Sequence, residues 1–244
     1  MALRKAFGIV KRLIVLALLV AGGLFLYALA RDNPEDLPWT ELDLTGPVGA
    51  FTGQKLARLT EDPAACRAKL DEAGVGFTAL PAHRPSPGCG YADGLRPAGG
   101  TQRLSFAPDP PLISCPVQAG LALWEWHVVQ PVAIELFGQE VARIEHLGGY
   151  GCRRLYGASE GRWSEHATAD ALDIAAFVLA DGTRISVLED WDGEGEHAAF
   201  LRRVRDGGCD LFATVLSPDY NAAHADHFHL DQAARGRFLA RACR

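Results

Sequence analysis

Two stretches of this chain carry side chains whose types and spacing suit chemistry: Ser164-Glu165-His166-Ala167-Thr168-Ala169-Asp170-Ala171-Leu172-Asp173 and His224-Ala225-Asp226-His227-Phe228-His229. The first offers an imidazole and a carboxylate seven residues apart, and the second offers imidazoles at alternate positions. Imidazole and carboxylate are good zinc ligands, and His166, Asp173 and His229 would supply three of them, leaving a fourth position for water as catalytic zinc sites do. Zinc held in this way brings the pKa of its water towards about 7, so hydroxide becomes available near neutral pH. The pattern predicts a zinc hydrolase with water as the nucleophile. Ser164 has no acyl-enzyme constellation around it, so its hydroxyl is expected to cap a turn or orient His166.

Elements must position these groups. Asp173 to Leu179 reads as a strand, Asp181-Gly182 as a hairpin turn, and Arg184 to Leu188 as the returning strand. Gly195 to Asp206 suits an amphipathic helix ended by Gly207-Gly208, Phe212 to Leu216 a third strand, and His227 to Leu230 a fourth. Alternation along that fourth strand puts His227 and His229 on one face and Phe228 on the packing face. Upstream, Gln54 to Ala73 favours helix with Gly74 as its stop, and Ala119 to His127 and Pro131 to Leu147 read as two more helices. Trp124 and Trp126 are read as core. The Pro- and Gly-rich residues 81 to 112 read as a long loop region tied by a disulfide through Cys89. His83, His127, His146 and His197 fall in no ligand pattern and are expected to be surface or hydrogen-bonded groups. No repeat is visible, so the body is read as a single α+β domain.

Leu13 to Ala30 is an uncharged run of 18 residues, just long enough to span a bilayer. Arg4, Lys5, Lys11 and Arg12 precede the run and acids follow it, which places the amino end in the cytoplasm and the body outside. The run is long for a signal peptide, although Ala28-Leu29-Ala30 offers a cleavage site. Residues 1–30 are therefore expected to be a membrane anchor or a signal peptide, residues 31–49 a linker, and residues 50–244 the domain. The formal charge is −6, and since the first 12 residues hold four cations and no acid the rest carries −10. Such a body repels a phosphate backbone, which excludes nucleic acid as a partner. Cys66, Cys89, Cys115, Cys152, Cys209 and Cys243 form an even set with no CxxC pair, as expected of disulfides in an oxidising compartment, with fifteen pairings open.

From about residue 50 onward the chain resembles the bacterial extensin-like carboxy-terminal domain family. The resemblance lies in Tyr150 to Arg153 (Tyr-x-Cys-Arg), Ser164 to Ala167, Asp173-Ile174, Asp190-Trp191 and His224 to Asp231. More distantly, residues 148 to 232 are similar to the LAS metallopeptidases, which include D-Ala-D-Ala peptidases and murein endopeptidases. That resemblance implies a small antiparallel sheet that carries a zinc site and is packed with helices, and substrates in the peptide stems of peptidoglycan. It also implies His166, Asp173 and His229 as metal ligands and His227 as the histidine that polarises water or stabilises the transition state. His224 and Asp226 both fall where relatives place a general base, and the choice between them, with His227 assisting, stays open. Arg153 matches an arginine that binds substrate or the developing oxyanion, with Tyr150 and Ser164 as further candidate substrate contacts. The expectation is an inner-membrane-anchored or secreted zinc peptidase or amidase of the cell envelope. Its rivals are a non-catalytic peptidoglycan-binding or scaffold protein and a regulator of other envelope enzymes. The bond cut is not predicted.

Overall fold

The computed structural model describes residues 2–233 and 241–244. Helix α1 runs over Ala2–Asp32, and its Val10–Asp32 portion, which no other part of the protein covers, is the one helix among the described residues long and apolar enough to cross a membrane. The chain after it packs on the body. Leu42 and Leu44 are buried in the domain core. The Lys55 ammonium donates to the carbonyls of Pro34 and Glu35 and to Thr40 Oγ1, Lys69 Nζ donates to Leu42 O, and Ala50 N donates to Asp36 Oδ1. The single helix expected over 54–73 divides into α2 (Thr52–Arg58) and α3 (Pro63–Glu72). Pro63 has no N–H to continue the first helix, and Asp62 opens the second by accepting from the Ala64 and Ala65 amides.

Residues 81–112 are more ordered than a loop region. β1 (Val75–Ala79), the hairpin of β2 (His83–Ser86) and β3 (Cys89–Tyr91), β4 (Gly94–Gly100), β5 (Ser105–Ala107) and β6 (Ile113–Ser114) run through and around them. The strand order β1-β4-β6 makes one small antiparallel sheet. Low hydrophobic content hid these strands, because they are short and half exposed.

Helix α4 (Cys115–Trp124) is buried along its whole length, with Ser114 as its cap and Trp124 Nε1 donating to Val204 O at 2.8 Å. A wide π-type turn over Glu125–Val129 leads into α5 (Gln130–Phe137), which ends at Gly138 in the left-handed region (φ 67°). The helix expected to run on to Leu147 stops there, and β7 (Val141–Gly148) follows. Strand β7 carries register irregularities between Val141 and Arg143 and between Glu145 and Gly148. These bulges shift the buried positions to Val141 and Ile144, a spacing of three that mimics helix in the sequence.

The main sheet is completed by β8 (Ala171–Leu179), β9 (Arg184–Ser186), β10 (Thr214–Leu216), β11 (Phe228–Asp231) and β12 (Ala242–Cys243), with α6 (Val187–Asp190) and α7 (Glu196–Gly208) between β9 and β10. Its order is β12-β10-β11-β8-β7-β5, with β9 also on β8. The pairs β5·β7 and β10·β12 are parallel, so the expected antiparallel sheet is mixed at its two edges. As predicted, Asp181-Gly182 turns β8 into β9: Leu179 N donates to Thr183 O and Gly182 takes φ 92°. Phe177 of β8 packs against Trp124, Phe200 and Phe228, which locks α4, α7 and β11 to the central strand. Loss of such a fully buried ring costs about 3–5 kcal/mol. The six cysteines pair as Cys66–Cys115, Cys89–Cys152 and Cys209–Cys243.

Candidate metal centre in an open cleft

Strand β8 lies between β7 and β11, and its third residue, Asp173, sits directly opposite His229 on β11 and Gly148 on β7. That register brings the two motifs together. His229 Nδ1 lies 2.9 Å from Asp173 Oδ1, and His166 Nε2 lies 3.1 Å from Asp173 Oδ2. The ligand-type atoms of His166, Asp173 and His229 all fall within 4.8 Å of one another, the one such group of three among the described residues.

Each ring is aimed by a second contact. His166 Nδ1 donates to Gly149 O at 2.5 Å, which leaves Nε2 facing the carboxylate. That Nε2 is buried and has no hydrogen-bond partner. Two imidazoles and one carboxylate converging with their ligand-type atoms this close make a donor set that fits a divalent metal such as zinc. On the other side Asp231 Oδ2 lies 3.2 Å from His229 Nε2, and this carboxylate–histidine contact turns Nδ1 toward Asp173. Gly149 reaches its place because it has no side chain: a Cβ there would lie 2.2 Å from the Leu112 carbonyl. The loop around it also holds the first motif through Gly151 N to His166 O and Ser164 N to Arg153 O.

The charges respond to this packing. Burial works to raise the Asp173 carboxyl, yet the adjacent His166 and His229 imidazoles pull it well below the usual carboxylate range. Burial likewise opposes protonation of His229, but Asp173 and Asp231 override it and push the ring up to about 9. His224 goes the other way, lowered to about 4 by burial and by the charges of His227 and His229. Its Nδ1 is 2.8 Å from Asn221 Oδ1, so it donates there and presents Nε2 as an acceptor. Its ring centroid is 5.2 Å from that of His227 and 6.1 Å from that of His229.

The remaining predicted residues surround this cluster. His227 precedes β11 rather than lying in it, with Nδ1 2.7 Å from Asp226 Oδ1 and Nε2 3.7 Å from Asp173 Oδ1. It shares the site with His229, and Phe228 is buried on the opposite face, as alternation requires. The Asp226 side chain is half exposed and engaged with His227. Arg153 places Nη2 3.7 Å from Asp173 Oδ2 at the solvent edge. Ser164 caps the turn Glu165–Thr168 by accepting from His166 N, so its hydroxyl serves the fold of the motif. Tyr150 OH meets Cys89 Sγ at 3.3 Å, and its ring packs edge-on against Tyr91 and His83. Tyr150, Arg153, Ser164, Asp226 and His227 line one open cleft of about 1500 Å³ with the three clustered donors and His224. Away from it, His146 Nε2 bonds Asp109 O and His197 Nδ1 bonds Asp190 Oδ1, so neither joins the cluster.

A mixed sheet backed by helices, closed by three disulfides and carrying a buried and a part-buried histidine around one aspartate in an open cleft, defines the class: a disulfide-bonded α+β domain with a candidate cation centre. The chain belongs to the family described as Extensin-like protein C-terminus, whose match covers residues 64–244. No curated protein and no solved structure gives a match.

Proposed function

We propose that this chain is a membrane-anchored, zinc-dependent peptidase or amidase that hydrolyses stem or cross-link peptides of peptidoglycan, with its body on the periplasmic side. The observation that carries the reading is the convergence of His166, Asp173 and His229 at the floor of an open cleft with a neutral histidine beside them. A zinc ion held there supplies Lewis acidity and an acidified water. His224 is the proton acceptor: Asn221 fixes its Nδ1–H, and the ring is unprotonated near neutral pH, which leaves Nε2 as the acceptor nitrogen facing the cleft. Asp226 is given a different task, since its carboxylate orients His227. His227 and Arg153 face Asp173 from two sides and stabilise the oxyanion of the tetrahedral intermediate. Cleft size supports a substrate of several residues, and the disulfides and apolar helix support an envelope location. The peptide class rests on the resemblance to LAS metallopeptidases.

The test is chromatography with mass spectrometry of purified muropeptides incubated with the detergent-solubilised full chain, with and without chelator. The expected result is a new product that disappears with chelator and with His229→Ala. Tight murein binding by zinc-replete protein with no product would establish the scaffold reading instead.

A further inference from the structure

The step from helix α1 to the folded body has almost no slack. Val10–Asp32 contains 23 residues, which at about 1.5 Å per residue reaches roughly 34 Å, slightly more than the hydrocarbon thickness of about 30 Å. Its last turn therefore stands at headgroup level. Helical hydrogen bonding continues one residue further, with Asn33 N donating to Leu29 O. Immediately afterwards the carbonyls of Pro34 and Glu35 accept from Lys55, Asp36 holds Ala50 N, and Arg58 Nη1 donates to Pro38 O. A body joined in this way cannot drift from the plane in which the helix ends.

On the turn that follows sits Trp39, 76% exposed, while Trp124 and Trp191 are buried. An indole is an apolar ring with one N–H donor, and it prefers the membrane–water boundary over either bulk phase. Trp39 is the large apolar side chain left uncovered in the segment adjoining the span, and the same segment buries Leu42 and Leu44. The neighbouring charges do not suit an electrostatic attachment to anionic lipid: Glu41 is almost fully exposed and Asp36 is tied down by Ala50.

We propose that Trp39 is a membrane-interface anchor that seats the folded body directly on the outer face of the bilayer. This rests on the reading of α1 as a retained span. The seat is built from ring burial, so it does not depend on anionic headgroups.

The test uses the full chain in phosphatidylcholine vesicles containing lipids brominated either near the headgroup end or near the tail end of the acyl chain. The difference in emission between the native chain and Trp39→Phe isolates the contribution of Trp39. Expected is a blue-shifted Trp39 component quenched more by shallow than by deep bromine, unchanged when anionic lipid is added. A Trp39 component insensitive to both lipids and open to aqueous iodide, in protein that resists alkaline extraction from the vesicles, overturns the seat and leaves the span standing. Release of the chain by alkali overturns the span, and the seat with it.

Discussion

Asp170 and Asp173 stand three residues apart at the start of β8 and are equally buried, yet their surroundings drive them in opposite directions. Asp173 faces two imidazoles and is held charged. Asp170 is raised well above the ordinary range by burial first, with only the Ser114 hydroxyl at 2.7 Å opposing, and the charges of Asp231, Asp93 and Glu165 push it further. Burial alone makes a carboxylate a neutral hydrogen-bonding group, and nearby cationic partners make it a charged ligand. Asp170 belongs to the framework: its amide donates to Glu165 O and its carbonyl accepts from Gln232 N, which joins the two motif segments. Asp173 belongs to the site.

The sharpest way to break this contrast is substitution at Asp173. Asp173→Ala removes the residue shared by both imidazoles, and the expected outcome is loss of stoichiometric zinc in metal analysis and of all muropeptide turnover. His224→Gln removes the proposed base while sparing the three donors. A fall in kcat of about 10²–10⁴ with unchanged zinc content is expected, and a drop in zinc would place His224 among the ligands instead. Asp231→Asn weakens the carboxylate that turns His229 while keeping an oxygen for the Ala233 amide, so zinc affinity measured by chelator competition should fall by about 10–100-fold.

The smallest effect is expected at Asp170. Its folded form holds a proton more tightly than the unfolded chain does, so the associated stability is full below the ordinary aspartate value of 3.8 and declines as pH rises through the folded value. Asp170→Asn keeps an oxygen for Ser114 and cannot ionise. Thermal melts should therefore show a variant that gains on the native protein as pH rises from 4 to 7, with zinc content unaltered. If Asp170→Asn empties the site and Asp173→Asn does not, the division of labour between the two is reversed.

Much of the site was legible because its chemistry lies in side-chain types at fixed spacing. Asp173 and His229 meet through strand register, His166 joins them from the turn just before β8, and the Asp181-Gly182 turn set the hairpin next to them. What aims them was less visible. Asp231 could have been found, since it lies two residues beyond His229 on the same face of β11, and Asn221 precedes its histidine by three. The Gly149 carbonyl carries no sequence signature at all, because any residue has one and only the close approach to Leu112 selects glycine. β7 was misread for a physical reason, its bulges imitating helical periodicity, and the pairing of six cysteines is a matter of distance in three dimensions that spacing does not encode.

The bond between Cys89 and Cys152 fastens the β2–β3 hairpin to the very loop whose carbonyl and amides grip the first motif. A nascent chain with both thiols still reduced would leave Gly149 loosely placed and the imidazole of His166 free to turn away. If the site takes a cation as proposed, zinc affinity measured by chelator competition is expected to be lower for the reduced chain than for the oxidised one.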